Sequence, residues 1–177
     1  LKAAANKGYV FSHWEGPLGG AIDPRNPSLS YVVGKDDAEF VAKFIPVSED
    51  WVYVWMDCND EYETNEEISD IYIGVESGSL ATLKVTGLPT GLKYTAKPVY
   101  DRNGDLLHEA NTIYGTPTKS GVYTVTVTAT TVGKKTDTCS AVIVVRKDGE
   151  RMVKLSVPSW YDGETDTDVI PGKVTGA

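Results

Sequence analysis

The chain has 177 residues, 41% hydrophobic and 24% charged, so it has the length of one ordinary domain or two small ones and enough apolar material for a core, unlike a disordered tail. A formal net charge of −8 and an isoelectric point near 4.7 argue against nucleic acid or an anionic membrane surface as the main partner. Two cysteines exclude a disulfide-knotted miniprotein, two histidines leave little for a histidine-based metal site, and no apolar run approaches the roughly 18 residues of a membrane-spanning helix.

The composition, with 21 Val, 18 Thr, 10 Tyr and 17 Gly, favours strands and turns over helices. The opening Leu1-Lys2-Ala3-Ala4-Ala5-Asn6 has neither an initiator Met nor the apolar core of a signal peptide, and it reads as a position inside a longer polypeptide. Charge is unevenly spread: residues 1–50 carry −2, residues 51–80 carry −8 with no basic residue, and residues 81–177 carry +2. The acidic stretch runs from Asp57 through Asp60, Glu61, Glu63, Glu66, Glu67 and Asp70 to Glu76. It reads as a strand edge or connection kept soluble by like charge, since no calcium-loop spacing of Asp residues occurs in it.

The first third predicts short strands. Tyr9–Trp14 alternates, with Tyr9 and Phe11 on one face and Val10, Ser12 and Trp14 on the other. Three Pro and three Gly between Glu15 and Pro27 exclude a regular element there. Tyr31-Val32-Val33 is one more short strand candidate, and Phe40–Phe44 groups Phe40, Ala42 and Phe44 on one face. Pro46 and Ser48-Glu49-Asp50 then punctuate the chain.

A longer strand series follows, over Trp51–Met56, Ile71–Val75, Ala81–Val85 and Lys93–Ala96, with a hairpin turn at Asn103-Gly104. The best-patterned strand is Tyr123–Ala129, which buries Tyr123, Val125, Val127 and Ala129 and turns Thr124, Thr126, Thr128 and Thr130 outward. Ala141–Val145 closes the series. About seven short strands without an amphipathic helix predict an antiparallel β-sandwich.

Three motifs, Gly87-Leu88-Pro89-Thr90-Gly91-Leu92, Ile113-Tyr114-Gly115-Thr116-Pro117 and Gly121-Val122-Tyr123-Thr124-Val125-Thr126-Val127, resemble in order and spacing the Ig-like domains of bacterial surface proteins. The resemblance spans roughly residues 52–146 and departs at Tyr100–Leu107, where a longer hairpin is implied. Leu88 and Leu92 are then placed to plug the core between turns. Gly8-Tyr9, Phe11, Trp14, Gly16 and the closing Phe40–Phe44 resemble the second half of an internalin-type B-repeat, a small β-grasp-like unit whose first strands this chain lacks. After the polar segment Tyr161–Asp168, Ile170–Ala177 resembles the opening of another such repeat, which implies a parent that alternates B-repeat and Ig-like units.

Chemistry is sparse. No nucleophile elbow, zinc-protease helix motif or phosphate loop is present, and His13 and His108 read as surface histidines. Asp101-Arg102-Asn103-Gly104-Asp105 mimics part of a calcium loop, but an Asn-Gly turn accounts for it. Trp14, Trp51, Trp55 and Trp160 with Tyr161 have the character of sugar-stacking aromatics in carbohydrate-binding modules. Trp14, however, falls on a core position of the B-repeat, and Trp51, Tyr53 and Trp55 share a face where two domains would meet. Cys58 follows the first sandwich strand and Cys139 precedes the last, so they either form a disulfide closing an 82-residue loop or stay separate thiols.

The resulting expectation is an all-β chain. An incomplete β-grasp-like B-repeat at 1–47 leads into an antiparallel Ig-like β-sandwich at 48–157, followed by a linker and first strand of a following repeat at 158–177. Its function would be that of a non-catalytic structural or adhesive module of a secreted bacterial cell-surface protein, without cofactor, metal or membrane insertion. Its partners would be neighbouring repeats of the same protein and a host or cell-wall glycan or protein, not nucleic acid. The alternative is a glycan-binding accessory module of an extracellular enzyme. An incomplete repeat also implies an open strand edge, with Tyr9, Phe11 and Phe44 uncovered, for which Lys173–Gly176 is the nearest substitute strand.

Overall fold

Short alternating segments ended by glycine and proline become strands almost throughout, gathered on two separate hydrophobic cores. The structure, a computed structural model, describes residues 1–19, 23–32, 34, 37–59 and 61–147. The segment beyond residue 147, including Trp160, Tyr161 and the repeat-like end, therefore lies outside the described residues. Among the described residues there is no α-helix, and none is long and apolar enough to cross a membrane.

The smaller core is formed around the antiparallel pair β1 (Tyr9–Glu15) and β2 (Val41–Pro46). Strict alternation fails here. The register slips between Phe11, opposite Phe44, and His13, opposite Lys43, so Ser12 is an extra, bulged residue. The bulge turns Phe11 to the same side as Trp14; both are buried with Leu29, their ring centroids 5.5 Å apart. Phe11 is thus core rather than uncovered, while Tyr9 and Phe44 stay partly exposed beside a shallow cavity of about 200 Å³ with Ala4 and Asn6. Pro24 and Asn26 of the proline-rich stretch lie against this core, the Trp14 Nε1–H donating to Asn26 O at 3.0 Å and the Trp14 N–H to Pro24 O at 2.8 Å. No strand forms at Tyr31-Val32, where Val32 is 91% exposed; Val33 lies outside the described residues. Instead, residues near Ser28 bridge Lys2, which brings the Leu29 side chain inward.

A single 3₁₀ turn, Val47–Glu49, connects to the sandwich. The sandwich strands are β3 (Val52–Asp57), β4 (Glu61–Glu63), β5 (Ile71–Ser77), β6 (Ala81–Thr86), β7 (Leu92–Thr95), β10 (Thr112–Gly115), β11 (Gly121–Thr131) and β12 (Thr136–Arg146). One sheet has the order β3-β5-β10-β7 and the other β4-β12-β11-β6. A small hairpin, β8 (Val99–Tyr100) and β9 (Leu106–His108), fills the insertion around Asn103-Gly104. Val54, Ile71, Ile73, Leu92 and Ile113 from the first sheet meet Tyr62, Val125, Val127, Ala129, Ile143 and Val145 from the second. Each Val, Leu and Ile side chain among them contributes about 1.5–3 kcal/mol by leaving water.

Tyr123 is only half-buried; its hydroxyl donates to Lys119 O at 2.9 Å near the surface. Thr124 is exposed as expected, but Thr131, one residue past the patterned run, is buried. Pro89 and Pro117 are fully buried at the sandwich end, and Gly87 (φ +77°) and Gly91 (φ +100°) adopt left-handed backbone. A Cβ at either would overlap a carbonyl oxygen, of Thr124 and Thr116 respectively.

One pairing departs from the antiparallel expectation. β4 runs parallel to β12, Tyr62 opposite Val145, and β3 and β4, close in sequence, belong to different sheets. β4 is the acidic edge: Glu61 and Glu63 lie 3.6 and 3.2 Å from the Arg146 guanidinium. The other edge, β3, is blunted by Asp137, whose Oδ2 accepts the Val54 N–H at 2.9 Å.

Candidate functional site

The histidines provide no catalytic constellation. His13 is half-buried, with Ser12 Oγ 3.0 Å from Nδ1 and Glu15 3.7 Å from Nε2. His108 is not the surface histidine expected. Its Nδ1 lies 2.9 and 3.1 Å from the two oxygens of Asp70, and its ring stacks on Tyr114 at 3.9 Å. This pair pins the β8–β9 hairpin back onto β10. Among the described residues the hydrogen-bond partner of the His108 imidazole is the Asp70 carboxylate.

The calcium-like loop closes on itself. Asp101 Oδ1 accepts the N–H groups of Asn103 and Asp105, both at 2.8 Å, and Gly104 has φ +89°. These donors, the Asp105 N–H first, hold the Asp101 carboxyl below its ordinary value. Among the described residues no group of three or more His, Cys, Asp or Glu is placed to hold a metal ion.

Cys58 and Cys139 are half-buried thiols against the sandwich core and are not joined in the structure. Cys139 lies within β12, opposite Val127, rather than before the last strand. Burial, then the Asp137 charge, pushes its thiol pKa up.

Two constructed features remain. The first is the joint between the two cores. Asp50 is 4% exposed; its Oδ2 accepts hydroxyl donors from Thr131 at 2.6 Å and Ser79 at 3.0 Å, and its Oδ1 accepts the Trp51 N–H at 3.1 Å. Gly133 and Gly78 leave room for it: a Cβ at Gly133 would overlap Asp50 Oδ2, and one at Gly78 would crowd Ile45 of β2, Asp50 and Trp51. On the other side of the joint the bulged Ser12 donates its hydroxyl to Gly78 O at 2.8 Å, and Val47 N–H donates to Gly8 O at 2.9 Å. The connector is thus tied to both units by buried or partly buried hydrogen bonds.

The second feature is a row of aromatics on the outer face of β3 and β5. Val54 points into the core, so Trp51, Tyr53 and Trp55 point out, at 49, 56 and 40% exposure. The expectation that domain packing covers this row is overturned: only its Trp51 end reaches the joint, beside Gly78. Across the ladder Tyr53 faces Glu76, Trp55 faces Gly74 and Asp57 faces Tyr72.

These observations define an all-β chain with a small two-stranded unit joined to a two-sheet sandwich. Residues 62–146 match the family model described as "Putative Ig domain", and residues 1–48 match that of the divergent InlB B-repeat domain. The chain is thus similar to a B-repeat domain over its first 48 residues and to an Ig-like domain over most of its sandwich, kinds of domain that are generally non-catalytic and typical of extracellular surface proteins. No curated protein matches the chain significantly.

Proposed function

We propose that the chain is a non-catalytic spacing and adhesive module of a secreted bacterial cell-surface protein, with its units divided between residues 47 and 48. The observation that carries this reading is the joint: Asp50, Ser12 and Gly78 tie a short connector into both units, a feature suited to a strut and without use in an enzyme that must open. The partly exposed Tyr9 and Phe44, on a sheet of two strands among the described residues, suit a neighbouring repeat of the same protein as the adjoining partner. Labelling intact cells of the source organism with an antibody raised against this chain tests the location. Signal on unbroken cells is expected, and signal that appears only after lysis would refute the surface assignment. The second reading, a glycan-binding module, has the aromatic row in its favour.

A further inference from the structure

We infer that the outer face of β3 and β5 is a binding ledge for an uncharged, extended polysaccharide, with Trp55 and Tyr53 as its stacking surfaces and Glu76 and Asp57 as hydroxyl acceptors. Tyr53 and Trp55 occupy alternate positions of β3 and Trp51 immediately precedes it, so the row runs roughly 13 Å from Trp51 to Trp55. The partner strand is cut to fit. Gly74 sits opposite Trp55 in the interior of β5, where glycine weakens a strand and where this one has no left-handed backbone to justify it. A Cβ at Gly74 would fall inside the indole, so the missing side chain lets Trp55 lie down across the sheet. Tyr53 continues that surface, its ring 5.5 Å from the indole and tilted by 27°. Tyr72, 49% exposed, extends the patch on β5 next to Asp57.

The chemistry of the ledge selects its occupant. Aromatic faces left in water gain by covering them, and the apolar C–H face of a pyranose ring matches a flat π surface. The carboxylates beside the rings are pure acceptors and can take sugar hydroxyl protons. Residues 51–80 hold eight acidic and no basic side chains, so uronates, sialylated chains, phosphopolymers and nucleic acid are repelled. Arg25 and His13 approach only the Trp51 end, in the groove at the joint. A cationic peptide would also be attracted by the charge, but a point cation is best held by rings that surround it, whereas here they form a row.

This inference stands apart from the spacer reading, because the ledge is clear of the Asp50 joint except at Trp51. The test uses the whole chain, titrated by tryptophan fluorescence and calorimetry with β-1,4-linked hexasaccharides of glucose and of N-acetylglucosamine. Polygalacturonate and an oligolysine peptide serve as charged comparisons, with sedimentation to follow self-association. Saturable binding of at least one neutral hexasaccharide is expected, weakened about tenfold or more by Trp55→Ala and by Tyr53→Ala at unchanged melting temperature. Gly74→Val, which lifts the indole, should weaken it similarly; if that variant fails to fold, the two aromatic truncations still decide. No binding of either neutral sugar, binding indifferent to Trp55→Ala, preference for oligolysine, or self-association abolished by Trp55→Ala would overturn the proposal. In each of those cases the surface-labelling result and the spacer reading are unaffected.

Discussion

Replacing Asp50 by alanine removes the acceptor on which the connector is built. The carboxylate receives three hydrogen bonds, from Thr131, Ser79 and the Trp51 N–H, and the Ser79 and Thr131 side chains are themselves buried. Hydrogen bonds to a charged group are worth about 1.5–3 kcal/mol each. Against that gross gain stands the cost of holding a carboxylate out of water, several kcal/mol, which alanine abolishes. What alanine leaves behind is a cavity and two buried hydroxyls without their acceptor, so a net loss of about 3–4 kcal/mol is expected. For a sandwich of this size that corresponds to a fall in melting temperature of roughly 12 °C or more. Asp50→Asn keeps the shape and one acceptor oxygen, and the hydroxyls can turn to accept from the new amide, so about 1–2 kcal/mol is expected. Urea unfolding followed by tryptophan fluorescence measures both. An Asp50→Ala variant within 1 kcal/mol of the parent, or an asparagine variant worse than the alanine one, would show that the carboxylate does not hold the connector.

Further expectations follow from single contacts. Gly87→Ala and Gly91→Ala each place a Cβ on a carbonyl in left-handed backbone and should destabilise the sandwich by about 3 kcal/mol or more by thermal melting, whereas Gly104→Ala, in open space, should cost far less. Burial raises the Tyr94 phenol above its ordinary value of 10.0, so the folded state holds a proton that the unfolded chain releases. This stability is complete below pH 10 and is lost as pH rises through the folded value. Tyr94→Phe should therefore flatten the alkaline limb of a stability–pH curve while costing about 1 kcal/mol at neutral pH through the lost 3.0 Å bond to Asn111 Oδ1. Thiol titration in denaturant without reductant should find two reactive cysteines, with Cys139 slow to react in the native chain; finding none would establish the Cys58–Cys139 bridge.

The sandwich was readable because one of its two longest strands, β11, alternates cleanly: Val125, Val127 and Ala129 are inside and Thr124 is outside. The turn motifs were readable for a similar reason, since Gly87 and Gly91 sit where a Cβ would overlap a carbonyl and Pro89 and Pro117 are buried at the sandwich end. Ser12 carries no turn chemistry, so nothing in the Tyr9–Trp14 alternation signals its bulge, and that bulge alone moves Phe11 into the core. β4 is hidden because Tyr62 is the single apolar residue between two glutamates. Asp50 resembles ordinary loop punctuation, and its burial depends on Ser79 and Thr131, which lie 29 and 81 residues away. The shared face of Trp51, Tyr53 and Trp55 was visible, but whether it points outward depends on Val54, and the Gly74 that accommodates Trp55 becomes meaningful only once the register of β3 and β5 is known.

The spacer reading stands or falls on the joint behaving as a fixed link. Residual dipolar couplings recorded separately from amides of the β1–β2 unit and of the sandwich in one weakly aligned sample measure this directly. A single alignment tensor should fit both sets in the wild-type chain, and Asp50→Ala should split it in two. Two different tensors in the wild-type chain would contradict the spacer reading, because the units would then be tethered beads and not a strut.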